Sequence, residues 1–137
     1  MRFLILAAAL AATACAREEP AAPGLAAGTF TSGDRDGLCI AGAAGAQRAG
    51  FIVYGEGDAN CSASGRIDRA GAAWNLVPAG DSDCRIPLNV TDGSVSIGSA
   101  SAACNYYCGP GASFAGTTLQ RAPEAKPVTD LAGDLLC

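Results

Sequence analysis

Histidine is absent from the 137-residue sequence. That removes the side chain most often used as a general base near neutral pH, and the commonest metal ligand. Ser-His and Cys-His nucleophilic pairs go with it. Aromatic residues make up only 6%, with a single Trp, so the interior must be thin and filled by aliphatic and small side chains. Basic residues number 9 against 13 acidic ones, and the only lysine is Lys126. A phosphate backbone requires clustered basic groups. Scattered arginines in an acidic chain predict no nucleic-acid partner, and charge instead favours a basic protein. A Gly-rich phosphate loop is missing. So is Gly-x-Ser-x-Gly, because Gly111-Ala112-Ser113-Phe114-Ala115-Gly116 has the wrong spacing. An enzyme built from this chain would have to work with carboxylates, Tyr or Lys126 alone. The sequence therefore reads as non-catalytic, with no cofactor and no metal.

Present in quantity are glycine, 18 residues, and cysteine, seven. In a modest single domain, cross-links add stability where burial alone is marginal. Cysteine used this way belongs to an oxidising compartment, and the N-terminus agrees. Residues 1–14, MRFLILAAALAATA, place one Arg before an apolar run too short to span a bilayer, which is the pattern of a secretory signal.

Ala12-Thr13-Ala14-Cys15 follows. It resembles the lipobox of bacterial lipoproteins, in which small residues precede a cysteine that is acylated and becomes the new N-terminus. Ala12 departs from the Leu usual in that family. Removing Cys15 leaves an even set of six cysteines, Cys39, Cys61, Cys84, Cys104, Cys108 and Cys137, for disulfides. The resemblance implies membrane attachment through lipid at Cys15. With Ala16 rather than Asp next, it also implies sorting to the outer membrane, facing the periplasm. Residues 15–27 then form a flexible tether rich in Pro and Ala. Cleavage of the leader takes Arg2 with it, leaving eight basic residues against thirteen acidic, a net charge of −5.

Residues 28–137 read as one mainly β domain. Cys84, Ile86, Leu88 and Val90 alternate with Arg85, Pro87 and Asn89, and Cys61, Ala63, Gly65 and Ile67 alternate with polar residues. This two-residue period is that of strands with one buried face. Short runs near 28–31, 38–41, 51–54, 61–68, 72–77, 85–90, 95–97 and 113–121 alternate with turn residues. They predict a disulfide-stapled antiparallel β-sandwich or barrel of seven or eight strands. Pro87 lacks an amide donor, so its strand is expected at an edge or a bulge, and Gly116 is expected to mark a bulge. A short helix is expected near 99–107, capped by Ser99 or Ser101. Its Cys104 and Cys108 would share a face and so bond elsewhere. Thr129 or Asp130 is expected to cap a helical turn through Leu131, Leu135 and Leu136. Trp74 is expected to be the main apolar filler of the core.

Candidate functional residues are few. Asp34-Arg35-Asp36-Gly37 lacks the further ligands of a calcium loop and reads as a turn. Glu56 and Asp58, in the turn 55–60, form an acidic loop suited to a basic partner. Three functions compete. The first is a lipid-anchored envelope protein with a binding or structural role. The second is a periplasmic inhibitor of a lysozyme-like enzyme, and the third a carboxylate-based hydrolase of envelope glycan.

Overall fold

The structure is a computed structural model, and it describes residues 24–137. The leader, Cys15 and the tether up to residue 23 lie outside the described residues. Eight strands follow in order: β1 (Gly28–Ser32), β2 (Asp36–Ala41), β3 (Arg48–Tyr54), β4 (Asn60–Ala70), β5 (Ala73–Pro78), β6 (Ile86–Val90), β7 (Ser94–Ile97) and β8 (Thr118–Arg121). Each pairs antiparallel with the next. β8 returns to β1 through Phe30↔Arg121 and Thr31↔Gln120, so the sheet closes into a barrel. Closure removes the exposed edge that an open sheet would offer for unwanted pairing.

The alternation in the sequence decides which side chains fill the barrel. In β6, Ile86 and Leu88 are buried while Asn89 is exposed; in β4, Cys61, Ala63 and Gly65 are buried while Arg66 is exposed. An eight-stranded barrel is just wide enough for its own side chains to fill. Phe30, Leu38, Phe51, Leu76, Ile86 and Leu119 do so, each at 0% exposure. Burying a side chain of this size contributes roughly 1.5–3 kcal/mol.

β3 breaks the alternation, with every residue from Ala49 to Val53 buried. The inward residues are Ala49, Phe51 and Val53. On the outer face, Ile52 packs in a second small cluster with Val128, Leu136 and Cys39. The C-terminal segment is therefore a strap across the outside of β2 and β3. Its last residue is bonded to the barrel by Cys39–Cys137, which closes a loop of sequence separation 98.

The other bridges are Cys61–Cys108 and Cys84–Cys104. The helix expected near 99–107 is a 3-10 helix, Ala102–Tyr107, with Cys108 as its C-cap. Ser101 occupies the N-cap but makes no side-chain cap bond. Two disulfides, to β4 and to the loop before β6, hold the piece in place of a hydroxyl cap.

Three expectations need correction. Pro87 is at neither an edge nor a bulge, since β6 keeps an unbroken register with β5 on one side and β7 on the other. Pro87 lies one residue beyond the β6–β7 ladder, where its carbonyl accepts the Gly98 amide at 2.9 Å. Its missing N–H thus falls where that ladder ends. Gly116 sits in a turn, not a bulge: β8 is only Thr118–Arg121, and Gly116 takes φ +83° while its N–H reaches the Ile97 carbonyl. A side chain is disfavoured at that φ. The third correction concerns the tail, where no helix forms. The Asp130 carboxylate accepts the amides of Ala132 and Asp134, both at 2.9 Å, which closes a tight loop instead. Leu131 and Leu135 stay exposed, and only Leu136 reaches the barrel.

Candidate functional site

The barrel axis has two chemically different ends. One carries the turn between β1 and β2, the loops from β3 to β4 and from β5 to β6, and the 3-10 segment. Asp34, Asp36, Glu56, Asp58, Asp81 and Asp83 lie there against Arg35 and Arg85, six carboxylates to two arginines, a net of −4, and Arg85 is itself taken up by Asp68 of β4. At the other end the chain rises from Gly24 into β1.

The acidic end is built by local rules. Gly33 adopts φ +62° in the turn after β1, which leaves Asp34 exposed and turns Asp36 back along β2. There the Asp36 carboxylate accepts the Tyr54 amide at 2.9 Å. Arg35 crosses to the next loop. Its guanidinium stacks 3.8 Å from the centre of the Tyr54 ring, donates to the Gly57 carbonyl at 3.0 Å and pairs with Asp58 at 2.9 Å. Asp81 folds its own loop by accepting the amides of Asp83 and Cys84, and its second oxygen accepts the Tyr107 hydroxyl at 3.0 Å. Burial, reinforced by the Asp81 carboxylate, pushes the Tyr107 phenol up to about 12. Tyr107 is therefore a fixed donor at any physiological pH.

Of the two loop carboxylates singled out in the sequence, only Glu56 is unengaged; Asp58 is already matched by Arg35. Asp34, Glu56 and Asp83 are exposed and have no side-chain hydrogen bond or ion pair among the described residues. Next to Tyr107, Tyr106 stands out at 88% exposure, its ring edge-on to its neighbour at 5.3 Å. A protruding aromatic at the same end of the barrel as unpaired charge has the composition of a protein-binding patch. A groove of about 620 Å³ lies beside it, lined by residues that include Ser99, Ser101, Asn105 and Phe114, and none of its lining side chains is ionisable. Phe114 closes this end of the core, edge-on to Phe51 at 5.6 Å.

Tyr106 and Asp83 carry no sequence signal of their own. Two disulfides bring them to the loop of Glu56: Cys61–Cys108 draws the 3-10 helix to the start of β4, and Cys84–Cys104 draws the β5–β6 loop to the helix.

Trp74 is not the core filler expected of it. It sits half-buried at the opposite end, with the Arg69 guanidinium 4.9 Å from its ring centre, and Phe30 and Phe51 fill the interior in its place. Asp68 on the adjoining outer face is engaged by Arg85 at 2.7 Å, a hydrogen bond that holds its carboxyl below the usual carboxylate range. Among the described residues, no three His, Cys, Asp or Glu side chains converge as they would around a metal ion.

No protein-family model matches the chain, and neither a curated protein nor a solved structure matches it. What it does has to be argued from its own residues.

Proposed function

We propose that the protein is a lipid-anchored component of the bacterial envelope, attached through Cys15 to the outer membrane, that works in the periplasm by binding a basic protein rather than by catalysis. The observation that carries this reading is the acidic end. Six carboxylates stand there against Arg35 and an Arg85 already paired with Asp68, three of the six without a side-chain partner among the described residues, at the same end as an exposed Tyr106. Charge of one sign at the rim speeds encounter with an opposite partner, and a central aromatic supplies contact area. The adjoining groove offers hydroxyls and the Asn105 amide, with no group to move a proton. Three disulfides suit an oxidising compartment and a rigid display surface.

The same acidic end favours a narrower form of this reading, inhibition of a cationic lysozyme-like enzyme, since such a target presents the complementary charge. The test is calorimetric titration of the exported protein with lysozyme at low and high salt, alongside a Glu56→Ala, Asp83→Ala, Tyr106→Ala variant. Salt-sensitive binding that the triple variant loses supports the acidic end as the contact. Binding that survives all three substitutions places the contact elsewhere. Without any lysozyme binding the inhibitor form is wrong, and the broader reading then requires another basic partner to be lost in the same variant. Turnover of peptidoglycan by the purified protein would overturn both.

A further inference from the structure

The end of the barrel where the chain enters carries net positive charge, opposite in sign to the other end. Gln47, only 5% exposed, clamps the incoming chain there: it accepts the Leu25 amide at 2.8 Å and donates to the Leu25 carbonyl at 2.6 Å. Arg121 adds a bond from its Nη1 to the Ala27 carbonyl at 3.2 Å. Beside this clamp β3 and β4 begin and end, with Arg48 directly opposite Arg66 across the ladder. Like charges in that position repel, and neither arginine has an acidic partner among the described residues. Asp68 and Arg85 neutralise one another. That leaves Arg48, Arg66, Arg69, Arg121 and Lys126 against Asp92 and Glu124, a net of +3 on an acidic chain. Trp74 completes the rim, half-buried beside Arg69 and Ile67, over a shallow depression of about 410 Å³.

We infer that this end, with Arg48, Arg66, Arg69 and Trp74, rests on the anionic headgroups of the bilayer that holds Cys15, so that the acidic end points into the periplasm. The inference rests on the lipid-anchor reading above. Gly24 is nine residues on from Cys15, a reach of at most about 32 Å, so an anchored barrel cannot leave the surface. Attraction between arginines and anionic lipid acts within about 8–10 Å of the surface at ordinary salt, and the anchor supplies that proximity without further binding energy. Tryptophan beside arginine suits the boundary between headgroup and acyl chain, where an apolar ring and a polar handle are both satisfied. A cross-strand arginine pair with no ion-pair partner among the described residues is explained by a counter-ion outside the barrel. The acidic end would be repelled by the same surface, which fixes which way the barrel stands.

Trp74 is the only tryptophan, so its fluorescence reports this end alone. The full-length lipidated protein is reconstituted into vesicles of phosphatidylcholine with or without phosphatidylglycerol, each carrying brominated lipid as a quencher. Anchoring is scored separately by co-sedimentation. The expected result is Trp74 quenching at least threefold stronger with phosphatidylglycerol, reduced at high salt, and lost in an Arg48→Glu, Arg66→Glu variant that still co-sediments. The double reversal keeps a like-charged pair across β3 and β4, so the fold bears the same repulsion as before. Equal quenching in both vesicles, or none in protein that co-sediments, overturns the inference. Protein that co-sediments with neither vesicle contradicts the anchor instead. In that case a Cys15→Ser chain mixed with the same vesicles decides the orientation: a charge-dependent Trp74 response supports the basic end as the contact, and no response overturns it. Inorganic phosphate at millimolar concentration is the last arm. If it saturably abolishes the vesicle response at constant ionic strength, the arginine pair is a site for a soluble anion, not a bilayer.

Discussion

Leu136 lies directly over Gly50: a Cβ on that glycine would come within 2.6 Å of the Leu136 Cβ and collide with its carbonyl oxygen. The strap seats on β3 because β3 has no side chain there. Gly50→Ala should therefore destabilise the barrel by about 1–3 kcal/mol through overpacking, read as a lower urea midpoint. Gly93→Ala is the control, since a Cβ there would meet nothing within 4 Å. Equal midpoints for the two variants would mean that the strap is not seated this way.

The strap's covalent pin should matter more than the shortest bridge. Cys39–Cys137 closes a separation of 98 residues and Cys84–Cys104 one of 20. Constraint of the unfolded chain grows with loop length, to about 4–5 kcal/mol for the long loop and about 3 for the short. Replacing Cys39 and Cys137 by Ala should cost more in denaturant melts than replacing Cys84 and Cys104. It should also open the tail near Leu131, which is 70% exposed, to proteolysis. A tail that stays resistant would show that Val128 and Leu136 hold it without the bridge.

Tyr107 makes stability pH-dependent in the alkaline range. Its folded-state value is raised from 10.0 to about 12. The neutral phenol's contribution is therefore complete below pH 10 and is lost as pH rises towards 12. The wild-type protein should lose stability across that window relative to Tyr107→Phe, which cannot ionise. Parallel pH profiles for the two proteins would contradict the Asp81–Tyr107 contact.

Much of this architecture is legible in the sequence, and the illegible part has a common cause. Strict alternation through Cys84, Ile86, Leu88 and Val90 identifies β6 and its buried face, because side-chain direction in a strand is a local property. Glu56 is legible as a loop carboxylate for the same reason. Trp74 misleads because its neighbours in sequence say nothing about which end of a barrel it occupies. Pro87 misleads because the place where a ladder ends depends on the partner strand. The placing of Tyr106, Glu56 and Asp83 at one end of the barrel depends on one of about fifteen possible cysteine pairings, and only the folded chain selects it. Asp58 looks free in the sequence because its partner, Arg35, lies 23 residues away on another turn.

That pairing yields a discriminating result at the acidic end. Asp58→Ala removes a charge that Arg35 already balances and leaves Arg35 unpaired, whereas Glu56→Ala removes an unbalanced one. With a basic partner such as lysozyme, Glu56→Ala should slow association more at low salt than Arg35→Ala, Asp58→Ala, a neutral exchange. Both effects should shrink together as salt rises. The reverse order would move the contact to the Asp58 side of the loop.

The proposed binding role and the proposed orientation of the barrel both depend on the proposed export and anchoring, and the intact mass of the protein from its native host tests these at once. The expected species is a chain that begins at Cys15, carries the added mass of acyl groups on that residue, and has all six remaining cysteines oxidised. A chain that still begins at Met1, with free thiols at Cys39, Cys61, Cys84, Cys104, Cys108 and Cys137, would contradict it.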